Sequence, residues 1–372
     1  MSYKYKTNCL KYSAVAIFML IFQGAFTQSS FSELDKMITE KQKIIGQDLV
    51  LIIAKKDSIV YQKAFGAFNA KTVAPVASCS KWLTAALIMQ LVDEGKLSLD
   101  DMVSKYLPIF ESYGKNYITI RHCLSHMTGI QSEPIRIVKL LEKKKFNSLE
   151  EEVNEFAKKE IQTNPGTEFR YSDIGLNIAG RVAEIVTKKK FDLLIRQRLF
   201  VPLGMRQTTF STLDGSAVNP SGGAKSTAAD YSRFLQMMLN NGSFNGLKIL
   251  SEAAVLQMKK IHASVDKIKY APKSAEGFLY ALGSWSLTSH TPGHSPATPE
   301  GGTASVLSSP GLFGTWPMVD YCRGYTAIFF VKNFLGEQKA DVYLEMKKLI
   351  DKQFKNNCAP HPSPEGEYQF LK

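Results

Sequence analysis

The 372-residue sequence lacks the short motifs that mark several enzyme classes. Its five cysteines include no C-x-x-C pair, so the commonest zinc-binding spacing is absent. No phosphate-cradling glycine loop is present, and the G-x-S-x-G motif of α/β-hydrolases is also missing. The composition is nevertheless that of an ordinary globular protein, with 44% hydrophobic and 22% charged residues. We therefore expect a folded protein that needs no cofactor.

Histidine is scarce too, and its six positions do not form a metal-binding pattern. His122 and His126 are four residues apart, which would bring them to one face of a helix, but the glutamate of an H-E-x-x-H motif and a third ligand are missing. The others are isolated or lie in loops: His262, His290, His294 and His361. The sequence predicts no metal site.

Long hydrophobic runs are few, and the clearest one lies near the N-terminus. The run from Ala14 to Phe26 follows three lysines and no acidic residue, and polar residues follow from Thr27. This order is typical of a secretory signal peptide, and the run is shorter than the roughly 18 residues that a membrane-spanning helix needs. We predict a cleaved signal peptide over residues 1–27 and a periplasmic or secreted protein, with an uncleaved anchor as the alternative.

The charge is strongly basic, at +12 for the whole chain. Without residues 1–27 it is +9, from 43 basic against 34 acidic residues, because that segment carries three lysines and no acid. The lysines stand in short groups such as Lys143–Lys145 and Lys188–Lys190 without interleaved aromatic residues, which argues against nucleic-acid binding. We expect a solvated basic surface with an attraction to an anionic cell envelope.

The four cysteines outside that segment do not have the spacing of a disulfide framework. Cys79 and Cys123 lie in apolar helical patterns, where a free cysteine behaves as a small buried hydrophobic residue. The sequence allows a disulfide between Cys322 and Cys358 but does not require one.

The order of predicted elements indicates an α+β fold. Strands are predicted at Leu49–Ala54 and Ser58–Phe65 as a hairpin, followed by a helix from Ser78 to Glu94 that is apolar on nearly all sides and ends at Gly95. Further helices are predicted at Thr119–His126, Leu149–Glu160, Gly175–Thr187 and Thr227–Asn240. The last third reads as strands Tyr280–Leu287, Thr303–Ser308 and Tyr325–Val331, and a closing helix at Lys339–Phe354.

This order fits an antiparallel sheet flanked by helices, with an inserted all-helical lobe. The predicted domain covers residues 28–372. Its sheet lobe comprises about 28–105 and 275–372, and its helical lobe about 106–274.

Ser78 and Lys81 offer the parts of an activated nucleophile. A serine hydroxyl needs a neighbouring base, and residues three apart on a helix share a face. The same spacing occurs by chance at Ser112-x-x-Lys115 and Ser264-x-x-Lys267. Only Ser78 follows a predicted hairpin and begins a long buried helix, where a lysine is partly desolvated and the helix N-terminus favours negative charge. The alternatives are a helix cap at Ser78 and a structural ion pair at Lys81.

Several segments together are similar to one enzyme family. The run A-S-C-S-K-W-L-T-A-A at residues 77–86, continuing to Asp101, resembles the active-site helix of class C β-lactamase-like and penicillin-binding-protein-like serine hydrolases. The resemblance continues in segments 119–129, 165–175 and 226–231, and spans about residues 48–331. It implies the β-lactamase/transpeptidase-like fold.

The resemblance also implies roles for the second motif, Tyr-x-Asn in the family. Tyr171 takes the place of the tyrosine that shares proton transfer with the lysine. Asp173 stands where the family commonly has Asn. An amide donates to a substrate carbonyl, whereas a carboxylate only accepts, so Asp173 disfavours binding of a penicillin-type acylamino group. Asp173 is instead available to pair with Lys81.

The family's third motif, Lys-Thr-Gly or His-x-Gly, best matches Ser309-Pro310-Gly311. Here no lysine is left to attract a substrate carboxylate, and Pro310 has neither a hydroxyl nor a backbone N–H. Gly311 allows close backbone approach. The N–H groups of Ser78 and Leu312 are the expected oxyanion hole. Asp173, Ser309 and Gly311 are the predicted substrate-binding residues.

These observations predict an exported serine hydrolase that forms an acyl-enzyme on Ser78. Its expected substrate is a small-molecule or peptide ester, amide or D-amino-acid peptide. Two alternatives remain: a non-hydrolytic penicillin-binding-like sensor or binding module, and a β-lactamase. The oligomeric state is left open.

Overall fold

The computed structural model describes residues 31–133, 145–287, 300–333 and 340–358. The predicted signal peptide, Lys143, Lys144, His290, His294 and His361 lie outside the described residues. Within the described ranges, no helix combines the length and the apolar character that crossing a bilayer requires.

A mixed set of helices and strands makes up the described chain. The helices are α1 (Ser32–Ile45), α2 (Ser80–Asp93), α3 (Ile109–Ser112), α4 (Ile120–Leu124), α5 (Leu149–Lys158), α6 (Ile174–Thr187), α7 (Phe191–Ile195), α8 (Ala228–Leu239), α9 (Glu252–Lys259) and α10 (Asp341–Asp351). The strands are β1 (Leu49–Lys55), β2 (Ser58–Phe65), β3 (Ala74–Pro75), β4 (Phe169–Arg170), β5 (Lys225–Ser226), β6 (Ser243–Phe244), β7 (Leu247–Lys248), β8 (Ile268–Tyr270), β9 (Leu279–Tyr280), β10 (Trp285–Ser286), β11 (Val306–Ser308), β12 (Trp316–Asp320) and β13 (Tyr325–Val331). Short 3₁₀ turns occur at Ala77–Cys79, Val103–Lys105, Val265–Lys267 and Lys273–Ala275, and a π-helical turn at Arg196–Phe200.

One antiparallel sheet joins the two ends of the described chain. Its order is β2-β1-β13-β12-β11-β10-β9, so the N-terminal hairpin pairs with the last strand. Alternate residues of β1 face opposite ways. Leu49, Leu51 and Ile53 pack in a cluster with α1 and α10, whereas Val50 and Ile52 pack in a second cluster with α2 and α8. The sheet is thus covered on both faces, which confirms the predicted α+β class.

The helix that carries the predicted nucleophile lies deep in this second cluster. Twelve of the fourteen residues of α2 are buried, and Gly95 follows the helix with a φ of +67°. A left-handed residue just beyond a helix end is most easily a glycine. The buried helix with its glycine stop is confirmed.

Three features differ from the sequence expectation. The predicted strand Tyr280–Leu287 is two short strands, β9 and β10, because Gly283 turns the chain with a φ of +73°. Helix α1 and strand β12 were not predicted. The segment between β2 and β9 is mainly helical, yet it also contributes the strand pairs β3–β5, β4–β8 and β6–β7.

The four cysteines in the described ranges divide into one pair and two separate thiols. Cys322 and Cys358 form a disulfide, with 5.1 Å between their Cα atoms. Cys322 lies in the turn between β12 and β13, so the bridge fastens the segment after α10 to the sheet. Cys79 and Cys123 are free and buried, as predicted.

Candidate active site

Ser78 lies in the 3₁₀ turn that leads into α2, and Lys81 lies in the first turn of that helix. Lys81 Nζ is 3.5 Å from Ser78 Oγ. The preceding residue, Ala77, has a φ of +46°, which is uncommon for a residue with a side chain and is typical of tight functional turns. Two contacts hold the turn: Tyr231 Oη donates to the Cys79 carbonyl at 2.8 Å, and Ser80 Oγ accepts from the Ala224 N–H at 3.0 Å.

The side-chain nitrogen of Lys81 is buried, at 1% exposure, among oxygen atoms from three parts of the chain. It donates to the Ser221 carbonyl at 2.9 Å and lies 3.5 Å from Asp173 Oδ1. Its Nζ also lies over the ring of Tyr171, 4.7 Å from the centroid. Lys81 therefore connects Ser78, Tyr171 and Asp173, the residues that the sequence singled out. Ser221 was not predicted, because only the fold brings its carbonyl there.

Tyr171 follows β4 and is buried at 2% exposure in a group of aromatic rings. Its ring centroid is 4.6 Å from that of His126 and 5.5 Å from that of Trp285. Its backbone N–H donates to the Tyr270 carbonyl at 3.1 Å, which continues the pairing of β4 with β8. Both its ring and its backbone are therefore fixed.

His126 contacts the second motif, residues 171–173, through its ring. Its Nδ1 accepts from the Ser172 N–H at 3.4 Å, and its Nε2 lies 3.0 Å from Tyr280 Oη. Burial lowers the pKa of His126 well below its usual value, and the nearby Lys81 adds to the effect. A neutral imidazole that accepts at Nδ1 carries its proton on Nε2, so His126 donates to Tyr280.

The third motif lies directly after β11 and packs on the turn that holds Ser78. The hydroxyl of Ser309 is 3.2 Å from both the Ser78 and the Gly283 carbonyl oxygens, and has one proton to share between them. A Cβ on Gly311 would stand 2.4 Å from the Val76 carbonyl, so only glycine fits. The predicted close backbone approach at Gly311 is present.

Some hydrogen-bonding groups of the third motif already have partners within the protein. Ser309 is 2% exposed, and the Gly311 N–H donates to the Thr315 carbonyl at 2.8 Å. The Leu312 N–H has no hydrogen-bond acceptor within the described ranges, and Ser78 stands at a helix start, where N–H groups lack intrahelical partners. The oxyanion-hole roles of Ser78 and Leu312 and the substrate-binding roles of Asp173, Ser309 and Gly311 stay predictions.

The three histidines that the structure describes, His122, His126 and His262, have different surroundings. His122 completes the cap of α4, since its Nδ1 accepts from the Thr119 N–H at 3.2 Å, whereas His126 contacts Tyr280. Burial lowers the pKa of His262 to about 4. Among the residues that the structure describes, no three His, Cys, Asp or Glu side chains are grouped to hold a metal ion.

Several known proteins are similar to this chain in sequence and in fold. The β-lactamase family model matches residues 34–347. A Salmonella typhimurium protein named as a D-alanyl-D-alanine carboxypeptidase is 24% identical over 359 residues, covering 78% of each chain. A Bacteroides dorei protein named as a β-lactamase superposes with a TM-score of 0.73 at 29% identity, over 87% of this chain and 98% of its own.

A third similar protein has a different described activity. EstCE1, described as a hydrolase with promiscuous acyltransferase activity, has a TM-score of 0.70 at 19% identity and covers 87% of this chain and 98% of its own. Because the family model spans most of the sequence and the sheet and helices superpose on those of β-lactamase-like structures, this chain belongs to the β-lactamase family of serine hydrolases.

Proposed function

We propose that the protein is an exported hydrolase that transfers the acyl group of an ester, amide or D-amino-acid peptide to Ser78 and then releases it to water. The observation that carries this proposal is the 3.5 Å separation of Ser78 Oγ and Lys81 Nζ at the start of a buried helix. A hydroxyl and an amine at this distance can exchange a proton when the hydroxyl attacks.

The reaction divides into two steps. Ser78 Oγ attacks the carbonyl carbon while its proton passes to Lys81 or Tyr171, and the oxyanion receives the N–H groups of Ser78 and Leu312. The same proton then goes to the leaving alcohol or amine. In the second step water gives a proton to the Lys81 and Tyr171 pair and attacks the ester carbonyl on Ser78. The bond from the acyl carbon to Oγ breaks, the carboxylic acid leaves, and the proton returns to Oγ.

The altered second and third motifs favour esters and peptides over β-lactams. Ser309 replaces a cation that would attract a substrate carboxylate, and its hydroxyl is directed at protein carbonyls. Asp173 is close enough to Lys81 for an ion pair, so its carboxylate is partly engaged there. The names of two similar proteins, a D-alanyl-D-alanine carboxypeptidase and a hydrolase with promiscuous acyltransferase activity, support a peptide substrate and acyl transfer.

Export is part of the proposal. Disulfides form and persist in oxidising compartments, and the bridge between Cys322 and Cys358 is of the kind found in exported proteins. The signal-like pattern over residues 1–27 points to the same compartment.

An active-site probe tests the nucleophile. A fluorophosphonate should label the wild type and not Ser78→Ala, whereas Ser112→Ala should label normally. Ser112 is a matched control because it has the same S-x-x-K spacing but is an exposed residue at the end of helix α3. Equal labelling of wild type and Ser78→Ala would overturn the assignment.

A substrate panel separates hydrolysis from mere binding. p-Nitrophenyl esters, D-alanyl peptides and nitrocefin should give repeated turnover of at least one ester or peptide. Labelling without turnover of any member would instead favour a sensor that keeps the fold.

A further inference from the structure

Helix α7, the π-helical turn that follows it and the residues on either side expose apolar and basic side chains together. Leu193 is 49% exposed and Val201 63% exposed. Leu193, Gln197 and Val201 follow one another at spacings of four, which puts them on one side of the helical segment. Lys189 Nζ donates to Gln197 Oε1 at 2.7 Å, so this lysine lies on the same side. Arg196, three residues after Leu193, is exposed, and the exposed Arg206 lines a cavity together with Val201. We call this the basic–apolar face, with members Lys189, Leu193, Arg196, Val201 and Arg206.

A cavity of about 600 Å³ adjoins this face, because Val201 and Arg206 belong to both. Its wall includes Leu203 and Phe244 as apolar surface, and Lys71 and Arg233 as further cations. The cavity therefore combines three basic side chains with an apolar wall.

The one acid in the cavity wall is neutralised by its own partners. Asp230 accepts from the Gln207 N–H at 2.8 Å and from Thr208 Oγ1 at 3.0 Å, and Arg233 Nη1 lies 3.4 Å from it. In the described ranges, Lys71 and Arg206 form no ion pair. Helix α8 begins beside the cavity, and its N-terminal end adds positive potential. With Asp230 paired to Arg233, the charges of Lys71 and Arg206 are left over, so the net field in the cavity favours an anion.

We propose that the basic–apolar face docks on an anionic phospholipid surface, with a headgroup phosphate in the adjoining cavity. Large apolar side chains surrounded by cations are the pattern of proteins that lie at a membrane interface. A second copy of this chain would bring like charges together and is a poorer occupant. The docking is independent of the proposed hydrolysis at Ser78 and would hold the enzyme near substrates of the cell envelope.

Vesicle sedimentation tests the charged part of the face. Purified protein should pellet with phosphatidylcholine vesicles that contain phosphatidylglycerol, and less with phosphatidylcholine alone. Arg196→Glu/Arg206→Glu should weaken the partition at least about thirtyfold, since each cation near such a surface contributes severalfold. Lys36→Glu/Lys56→Glu changes the net charge equally at exposed lysines elsewhere and should retain most of the binding.

The apolar part is tested by Leu193→Ser/Val201→Ser, which should weaken the partition about tenfold without changing the charge. All variants carry the same N-terminus, so any lipid affinity of that segment cancels, and circular dichroism checks that each is folded. Equal pelleting of wild type and Arg196→Glu/Arg206→Glu, an equal loss in the lysine control, or binding of free glycerol phosphate without vesicle binding would each overturn the proposal.

Discussion

At the scale of single residues, Asp173 stands where the family commonly has Asn, and this difference has the clearest consequence for specificity. Its side chain is 20% exposed and reaches within 3.5 Å of Lys81, so it lies at the edge of the site next to the proposed nucleophile. A carboxylate there cannot donate to an acylamino carbonyl, whereas the amide of asparagine can.

Asp173→Asn should therefore improve the use of β-lactams relative to simple esters. We expect the ratio of kcat/KM for nitrocefin to that for a p-nitrophenyl ester to rise about tenfold, the effect of supplying one missing hydrogen bond. The ester acts as the internal control for general damage to the site. A ratio that stays the same or falls would show that Asp173 does not face the acyl side chain.

His126 gives a residue-scale prediction about pH. Its pKa is lowered by burial in the folded protein, so the unfolded chain binds a proton below about pH 6.5 that the native state does not. Stability must therefore fall as the pH drops below 6.5 and be unaffected by this group above it. His126→Asn suits the left-handed backbone at φ +56° and cannot titrate.

The measurement is the free energy of unfolding by urea between pH 8 and pH 5. His126→Asn should be less stable overall, yet its loss of stability on acidification should be smaller, by up to about 1.4 kcal/mol per pH unit. Between pH 7 and 8 the two proteins should show equal slopes. Identical slopes below pH 6.5 would mean that His126 is protonated in the native state.

At the scale of elements, the sequence predicted best where one pattern dominates. The all-round apolar pattern of α2 and the predicted hairpin of β1 and β2 match the observed elements to within a few residues. Helix α2 and the turn before it position Lys81 and Ser78. The strand Tyr280–Leu287 was wrong because its apolar residues satisfy a strand pattern, while the turn at Gly283 is imposed by contact with α2. The Ser221 carbonyl reaches Lys81 through long-range packing, which no local sequence pattern predicts.

Gly283 should be among the least replaceable residues of the sheet edge. A Cβ there would stand 2.6 Å from Ala85 Cβ and 2.7 Å from the Lys81 carbonyl, in addition to the cost of a positive φ. We expect Gly283→Ala to lower the free energy of unfolding by about 3 kcal/mol or more. Gly277→Ala, with a φ of +81° and open space, should lose only about 1 kcal/mol. Equal losses would show that the contact with α2 costs nothing.

At the scale of the whole molecule, the disulfide fastens the end of the described chain to the sheet. It spans 36 residues that include β13 and α10, both of which pack on the N-terminal elements. A closed loop of that length restricts the unfolded chain and should stabilise the fold by about 3–4 kcal/mol.

Cys322→Ser/Cys358→Ser should therefore lower the free energy of unfolding by roughly that amount, and dithiothreitol should destabilise the wild type to the level of the double variant. The variant itself should not respond to the reductant, because its other described cysteines, Cys79 and Cys123, are unpaired. Wild-type stability that is indifferent to dithiothreitol would contradict the bridge.

The central claim is that an acyl group is carried by Ser78, and acid-quenched mass spectrometry tests it most directly. After brief incubation with a p-nitrophenyl ester, the protein should gain the mass of one acyl group, mapped to the peptide that contains Ser78. Lys81→Met should accumulate this adduct at least a hundredfold more slowly, because the base is lost while the side-chain volume is nearly kept. An adduct on another residue, or equal acylation of Ser78→Ala, would contradict the account.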